Sequence, residues 1–335
     1  MKLQAAPFLH GPETLRGMMN RVLWALLPLV AWSFYKYGLA ALAVIGTSAV
    51  GCWAMEAWLR PVGAPVRGLL GAMPPRAPDA SPWIAGILLG LSLPPGTPCW
   101  IALVGAVVAM TLGKWAFGGL GHNLFNPAVV ARVFLQAAFP ATLTTWHPAW
   151  QPGRFTQLIP ANLAWPMMAP SSDGISGATP LGLWKFSHQP PDWWALVSDQ
   201  SQSSLGDGAP GLVLVLGLAL VLLKVADWRI PVGILVSAAL VAGLFRLMGL
   251  GPGPLFHLSS GGLMLGAWFM ATDPVTSPVS PKAIWVYSWF IGTGIVLLRQ
   301  WGGQPEVTAY LLLMGNAMVP LVERWLPPTP YGANP

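Results

Sequence analysis

Two stretches of this sequence, GILLGLSLPPGTP (residues 86–98) and GAWFMATDPVTSP (residues 266–278), decide the fold. They align at an offset of 180 residues, and three positions match: Gly86 with Gly266, Pro94 with Pro274, and Pro98 with Pro278. In each stretch an apolar run stops at a proline, which cannot continue a helix. A second pair, GGLGHNLFNPA (118–128) and GGQPEVTA (302–309), follows at a similar offset. The pattern predicts an internal repeat with a broken helix at the same place in each copy.

The composition places the chain in a membrane. Of its 335 residues, 54% are hydrophobic and only 8% are charged, whereas ordinary soluble domains are about 25% charged. Nineteen tryptophans suit a protein with two membrane interfaces. The net charge of +6 is explained by basic residues on short loops, so it does not indicate nucleic-acid binding. The sequence therefore predicts an all-α integral membrane protein in contact with the lipid bilayer.

Ten apolar stretches are candidate membrane spans, at residues 20–36, 38–59, 83–95, 99–117, 126–143, 210–225, 230–250, 257–272, 283–300 and 306–324. The repeat divides them into two halves of five. Because five is odd, the two halves must cross the membrane in opposite directions, which makes an inverted repeat. The third span of each half is short and ends at a proline. Broken helices at matching positions indicate a site for an ion or ligand near mid-membrane.

The basic residues predict the orientation. With the N-terminus in the cytoplasm, eleven of the 17 Lys and Arg residues fall on the inner side, five on the outer side, and Arg132 within a span. Both termini are then cytoplasmic. The chain divides into a first five-helix repeat (1–143), an extracytoplasmic loop (144–208) and a second five-helix repeat (209–335). We expect the loop to be periplasmic in a Gram-negative cell.

Several kinds of site are excluded by the residues present. The two cysteines, Cys52 and Cys99, are too few for an iron–sulfur cluster or a zinc site, and we expect them to be small core residues. The sequence carries no phosphate-binding G-x-x-x-x-G-K-[ST] loop. The residues around His147 and His188 do not match a Ser-His-Asp triad. No metal-binding site is expected.

The stretch GGLGHNLFNPAVVARVFLQAAFP (118–140) begins on the predicted cytoplasmic side. Asn126 before Pro127 predicts a helix N-cap with proline at the first helical position. His122, Asn123 and Asn126 are candidate binding residues, because glycines and amides allow close approach of a planar ligand or an ion. A simple capped helix explains the same residues equally well.

Asp273 lies at the end of an apolar span, where a carboxylate is costly unless it is paired, hydrated or bound to a cation. We therefore regard Asp273, Thr272 and Pro94, at the two broken helices, as candidates for an ion path. An alternative remains, in which Asp273 and Thr272 only cap the next turn. Glu56, Glu323, Arg132, Lys114 and His257 are weaker candidates, since each could extend to an interface.

The third motif is SSDGISGATPLG (171–182), a small polar turn in a chain otherwise suited to lipid. Asp173-Gly174 is typical of a turn. Ser176, Gly177 and Ala178 then lead to Thr179 and a proline. From these residues alone, Thr179 is expected to be structural.

A resemblance changes this expectation. SGAT followed by a hydrophobic residue is similar to the recognition motif for covalent flavin attachment. GGLGHNLFNPA, DGISGATPL and FMATDPVTSP, in this order, resemble RnfD, a membrane component of the Rnf ferredoxin:NAD oxidoreductase complex. The homologous protein is NqrB of the sodium-pumping NADH:quinone oxidoreductase. The segments APFLH (6–10) and GGQPEVTAYLLLMGNAMVPLVERW (302–325) extend the resemblance along the chain. The absence here of the long N-terminal extension of NqrB favours the Rnf type.

The resemblance implies an FMN joined to Thr179 by a phosphoester bond, within the turn formed by Asp173, Ser176, Gly177 and Ala178. It also implies a non-covalent riboflavin near the broken helices and the GHN residues. The expected function is electron transfer between ferredoxin and NAD, coupled to Na⁺ or H⁺ movement across the bacterial inner membrane. The expected partners are the other Rnf subunits (A, B, C, E and G), especially the FMN-bearing RnfG. The NAD and iron–sulfur sites are expected in those partners.

Two other functions are compatible with the sequence. A transporter or channel with no redox role would also have an inverted repeat and broken helices. A purely structural anchor protein would tolerate replacement of Thr179 without loss of electron transfer. Detection of bound flavin would distinguish the redox interpretation from both of these alternatives.

Overall fold

In a computed structural model the chain is a bundle of helices. The structure describes residues 14–60, 66–68, 71–73, 79–166, 179–188, 196, 199 and 201–328. The first part of the chain forms α1 (Leu15–Tyr37), α2 (Leu39–Leu59), α3 (Ser81–Ser92), α4 (Cys99–Thr111), α5 (Pro127–Ala138) and α6 (Pro140–Leu143). A short hairpin of β1 (Val66–Gly68) and β2 (Gly71–Met73) lies between α2 and α3 in the chain. This antiparallel pair was not expected from the sequence.

The second part begins with α7 (Pro180–Ser187) in the predicted loop, followed by α8 (Pro210–Leu222) and α9 (Arg229–Leu247). The next apolar stretch is divided into α10 (Pro254–Ser259), α11 (Leu263–Leu265) and a π-helix (Gly266–Met270). The long helices α12 (Pro281–Trp301) and α13 (Thr308–Trp325) complete the series. Two 3₁₀ turns lie at Trp115–Phe117 and Pro160–Leu163. Each of the ten predicted spans therefore contains helical structure.

Four of the described helical segments have the length and apolar composition needed to cross a bilayer: Leu39–Leu59, Cys99–Phe117, Arg229–Leu247 and Pro281–Trp301. The segments Ser81–Ser92, Pro127–Ala138 and Pro210–Leu222 are apolar but shorter. Large apolar side chains such as Leu222, Leu247, Trp58 and Trp325 point outward, as lipid contact and interfacial tryptophans require.

Both broken helices are present. Helix α3 ends at Ser92, and the irregular residues 93–98, which include Pro94, precede α4. In the second half the equivalent stretch is interrupted at residues 260–262 and ends in the π-helix. The matched glycines lie at close contacts. A Cβ on Gly86 would be 2.5 Å from the Cα of Ala49, and one on Gly266 would be 2.8 Å from Thr308 Cγ2.

The two ends of the bundle carry different polar contacts. At the end where α1 begins, here called the N-terminal face, Lys114 Nζ lies 3.0 Å from Glu56 Oε1 and donates to Ser81 Oγ at 2.7 Å. The opposite end, here called the loop face, is covered by the described residues between 144 and 208. Arg154 Nε donates there to the carbonyl oxygen of Tyr35 at 2.9 Å, and the buried Lys36 and Asp199 form an ion pair.

Candidate functional site

Thr179 lies on the loop face as the N-cap of α7. Its hydroxyl accepts a hydrogen bond from the Gly182 N–H at 3.1 Å, and Pro180 occupies the first helical position. The side chain is only 5% exposed. Thr179 lines a small cavity of about 10 Å³, here called the loop-face cavity, together with residues 201–203, 207, 208, 259–261 and 306. Asp173, Ser176, Gly177 and Ala178 lie outside the described residues.

The cations of the loop segment lie in two different places. Lys185, on α7, donates from Nζ to the carbonyl oxygens of Arg299 at 2.9 Å and Gln304 at 3.5 Å. Burial lowers the pKa of Lys185 below its usual range. Arg154 instead lies over the ring of Phe155 and donates to the carbonyl oxygen of Gln151. Lys185 is thus the loop cation on the helix that Thr179 caps.

A buried ionic cluster lies below Thr179, between the two halves of the chain. Arg132 on α5 places Nη2 3.5 Å from Glu306 Oε2. Gln136, one turn along α5, donates from Nε2 to Gln304 Oε1 at 2.5 Å and to the carbonyl oxygen of Glu306 at 3.2 Å. Arg299 donates to the carbonyl oxygens of His257 and Ser260. We call Arg132, Glu306, Asp207 and Arg299 the ionic cluster.

Asp207 is the second carboxylate of this cluster. It is 7% exposed, and its Oδ1 has no hydrogen-bond partner within the described part of the chain. Burial and the neighbouring Glu306 carboxylate raise the pKa of Asp207 to about 7. Burial of Asp207 and repulsion by the Glu306 carboxylate therefore oppose its ionisation, whereas Arg132 and Arg299 favour it.

Three members of the ionic cluster, Arg132, Asp207 and Glu306, also line a second cavity of about 30 Å³, here called the inner cavity. Its walls include Ser92, Gln136, Met270 and Thr308. Asp207 and Glu306 line both the inner cavity and the loop-face cavity. The two carboxylates consequently stand between a space near Thr179 and a space between the repeats.

A third cavity opens at the N-terminal face and contains two of the three residues singled out in the GHN region. It measures about 940 Å³ including its open mouth, and its walls are mostly apolar. Asn123 and Asn126 line it and are buried. His122 is exposed and is absent from the described lining. The cavity also contacts Thr272 and Asp273, so the structure brings the predicted amide and acid residues together.

Asn126 connects the two halves of the chain. Its Oδ1 accepts from the Ala128 N–H at 3.0 Å, so the predicted N-cap is confirmed. Its Nδ2 donates to the carbonyl oxygen of Met270, at the end of the π-helix, at 3.3 Å. Met270 lines the inner cavity, whereas Asn126 lines the N-terminal-face cavity.

Asp273 and Thr272 make local hydrogen bonds. Asp273 Oδ1 accepts from the Val275 N–H at 3.1 Å, and its carbonyl oxygen accepts from the Ser277 N–H at 3.0 Å. Thr272 Oγ1 donates to the carbonyl oxygen of Trp268 at 2.8 Å. These are the contacts expected of residues that end one helix and begin a turn. Asp273 nevertheless lines the cavity, so its role in an ion path stays a prediction.

The backbone carbonyl groups around the break at Pro94 accept hydrogen bonds from the middle segment of the chain. The carbonyl oxygens of Leu91 and Leu93 accept from the N–H groups of residues 206 and 205 at 2.7 and 3.0 Å. The Asn162 amide donates to the carbonyl oxygens of Pro95 and Thr97 at 2.9 Å. These backbone oxygens are therefore occupied, which weakens the case for direct ion coordination at Pro94.

Sequence reasoning did not single out Asp207, Glu306 or Arg299. The sequence pattern could have indicated Asp207, because this acid lies close to the start of the apolar run of α8. Asp273 was singled out for a similar reason, since it lies at the end of an apolar run. Glu306 lies in the repeat segment GGQPEVTA that matched GGLGHNLFNPA. The pairing with Arg132 could not be read from either segment. The expected core position is confirmed for Cys52, which is buried, but Cys99 is only partly buried, and both are free thiols.

Comparison with known proteins identifies the family. The family model described as "NQR2, RnfD, RnfE family" matches residues 2–332. The chain is 38% identical to the D subunit of the ion-translocating oxidoreductase complex of Stutzerimonas stutzeri, covering 95% of this chain and 92% of that protein. It is 33% identical to the D subunit of the Na⁺-translocating ferredoxin:NAD⁺ oxidoreductase complex of Acetobacterium woodii, covering 100% and 96%. The corresponding protein of Halorhodospira halophila is 34% identical over 99% and 95%. The chain therefore belongs to the NQR2, RnfD, RnfE family.

Proposed function

We propose that this chain is the RnfD membrane component of an Rnf-type ion-translocating oxidoreductase. Its full-length similarity to the D subunits of such complexes in three organisms carries the proposal. In this role it passes electrons between ferredoxin and NAD by way of partner subunits, and it couples that flow to Na⁺ or H⁺ translocation. The partners are the remaining Rnf subunits (A, B, C, E and G), with RnfG adjacent to the loop face.

In this proposal the chain has ten membrane spans, arranged as two inverted repeats. Helix packing supports it. In the first half α2 packs along α3 and α4, and α4 along α5; in the second half α9 packs along α10 and α12, and α12 along α13. Between the halves, α1 contacts α8 and α5 contacts α13. These contacts pair the first helix of one repeat with the first of the other, and the fifth with the fifth, as a two-fold axis between the halves requires.

We further propose that the chain spans the bacterial inner membrane, with both termini and the N-terminal face cytoplasmic and the loop face periplasmic. Lys114 and the positively charged residues around it then lie inside, in agreement with the positive-inside rule.

The carrier of electrons in this proposal is an FMN joined through its phosphate to Thr179. The helix environment fits a phosphoryl group: Thr179 is an N-cap, and the N–H groups of the first turn and the helix dipole favour negative charge there. Lys185 supplies a cation on the same helix. Two features oppose the fit, because the hydroxyl is 5% exposed and Asp207 and Glu306 line the same cavity. The flavin ring therefore belongs outside this small cavity.

When bound, the flavin would accept and release single electrons without dissociating from the chain. The chain's own residues position it. Thr179 is the attachment point, Gly182 donates its N–H to the Thr179 oxygen that would carry the phosphate, and Lys185 lies in the last turn of the same helix. The large N-terminal-face cavity offers apolar walls with Asn123 and Asn126 as hydrogen-bonding groups. We place the non-covalent riboflavin there, since a planar ring suits such a cavity.

The decisive experiment is the intact mass of the denatured chain, purified after co-expression with its flavin transferase. We expect an added mass of one FMN less water, which is lost in Thr179→Ala. Thr156→Ala is the matched control, because Thr156 is an exposed threonine of the same middle segment. An unmodified wild-type chain, with the transferase active on another substrate, would refute the flavin assignment and favour a transporter without redox function.

A further inference from the structure

We propose that Asp207 and Glu306 form a proton-binding site that exchanges one proton between the loop-face cavity and the inner cavity. The inference deepens the proposed function, on which it rests, because it names residues of this chain that would hold a transported cation. The exchange is an acid–base step. One carboxyl O–H gives its proton to water in one cavity, and the resulting carboxylate takes a proton from water in the other.

The first support is position. Asp207 and Glu306 are the acidic residues shared by the linings of the two cavities. Asp207 comes from the segment that precedes α8, and Glu306 from the segment that precedes α13. Both carboxylate oxygens of Asp207 face Gly262, where an added Cβ would be 3.4 Å from each. The absence of a side chain at Gly262 keeps space beside the acid.

The second support is a set of unpartnered polar groups. Ser260 Oγ is 2% exposed and lines the loop-face cavity, and Thr308 Oγ1 is 8% exposed and lines the inner cavity. Neither hydroxyl has a hydrogen-bond partner among the described residues. Asp207 Oδ1 is also unpartnered within that set. Buried polar groups without partners are costly, so hydroxyls flanking the acids on both sides indicate water in these cavities.

The third support is the number of ligands that each cation needs. A metal ion needs several oxygen ligands. A proton needs a single lone pair on a carboxylate that burial disposes to accept it. Two of the groups beside the acids are the guanidinium groups of Arg132 and Arg299, which are hydrogen-bond donors only and cannot bind a cation. The cluster therefore favours a proton over Na⁺.

Other titratable groups lie near Asp207 and Glu306. Those contributed by the neighbouring elements are Lys36, Arg132, Lys185, Asp199, His257 and Arg299. Lys36 and Asp199 neutralise one another near Gly208. Arg132 and Arg299 stabilise the ionised form of the two acids. The burial of the acids and the repulsion between their carboxylates oppose ionisation.

The inner cavity extends this site toward the other face. Met270 lines that cavity, and its carbonyl oxygen is held by Asn126, which lines the cavity open at the N-terminal face. The hydrogen bond from Asn126 to Met270 thus joins the wall of the inner cavity to the wall of the cavity at the N-terminal face. A rearrangement of the two halves at this contact would change which face the inner cavity meets.

The test is infrared spectroscopy of the purified complex as a function of pH, following the C=O band of a protonated carboxylic acid. We expect a buried carboxyl that titrates near neutral pH, and loss of that band in Asp207→Asn and Glu306→Gln. Asp227→Asn is the matched control, because Asp227 lies at the opposite face in the turn before α9. Normal subunit content and an unchanged melting temperature of each variant would show that it has folded and assembled.

The same variants are then compared in liposomes for ions moved per electron transferred. We expect this ratio to fall several-fold in Asp207→Asn and to stay unchanged in Asp227→Asn. A carboxyl band that survives in both cluster variants would overturn the proposal. A titration that shifts with added sodium at constant ionic strength would identify a metal-ion site and would also overturn it. The infrared result does not depend on flavin attachment, so the proposed function can fail separately.

Discussion

Arg132 Nη2 lies 3.5 Å from Glu306 Oε2, and this ion pair joins residues 174 positions apart in sequence. Arg132 belongs to α5 of the first half, and Glu306 precedes α13 of the second half. Both side chains are largely shielded from solvent. Because α5 and α13 pack against each other, the ion pair lies at a contact between the first and second halves of the chain.

Removing one member of this pair should be more harmful than removing both. Arg132→Gln leaves the Glu306 carboxylate buried with one fewer cation, and breaking a buried pair in this way costs about 3–5 kcal/mol. The double variant Arg132→Gln/Glu306→Gln should be more stable than the sum of the single changes implies, with a coupling of about 0.5–3 kcal/mol. The measurement is thermal unfolding in detergent. Additive effects would contradict the pairing, and Arg324→Gln, at an exposed position, should change stability by under about 0.5 kcal/mol.

The stability of the fold should depend on pH through Asp207. Its pKa rises to about 7 in the fold, from about 3.9 in an unfolded chain. A raised carboxyl pKa means that the folded state holds a proton which the unfolded state releases. The stabilising contribution is therefore complete below about pH 4 and is lost as the pH rises to about 7.

The corresponding measurement compares wild type with Asp207→Asn. The unfolding free energy of the wild type should fall relative to the variant by up to about 1.4 kcal/mol per pH unit within that window. Above it the difference should be constant. A difference that does not change with pH would show that Asp207 is ionised throughout.

Even an alanine side chain at position 217 should destabilise the fold. A Cβ at this position would lie 2.4 Å from Trp268 Cδ2 and Cε3 in the π-helix, so Gly217→Ala must displace the indole or α8. Overpacking of this kind costs about 1–3 kcal/mol. Gly211, on the same helix, has no atom within 4 Å of an added Cβ, and Gly211→Ala should be neutral or slightly stabilising. Equal melting temperatures for the two variants would contradict this packing.

Asn126 has two separable roles that hydrogen exchange can distinguish. Asn126→Ala removes the cap of α5 and the donor to the Met270 carbonyl oxygen, and losing the cap costs about 1 kcal/mol. Asn126→Ser can keep the cap but cannot reach Met270. We expect faster exchange at Ala128 only in the alanine variant, and faster exchange in residues 263–270 in both. Unchanged exchange in 263–270 would show that Asn126 does not stabilise the π-helix.

Local features of this protein followed from local chemistry. Asn126 caps a helix that starts at Pro127, and α3 ends before Pro94, because capping and the missing proline N–H act within a few residues. The paucity of charge was enough to predict apolar helices suited to a membrane, since uncompensated charge is costly in lipid. The ordered motifs were enough to identify the family, which full-length matches confirm.

The ionic cluster was decided by the tertiary structure. Arg132, Asp207, Arg299 and Glu306 come from four separate segments, and none has a local pattern that names its partners. The tertiary structure also decided the hydrogen bonds at the Pro94 break. Residues 205 and 206 and Asn162 donate to the carbonyl oxygens of the residues around it. Sequence determined which helices form and where caps and prolines end them, because those effects depend on near neighbours, but it did not predict the interruption at residues 260–262. Which buried charges meet, and which cavities they separate, depends on how the two halves pack against each other, and only the folded chain brings those groups together.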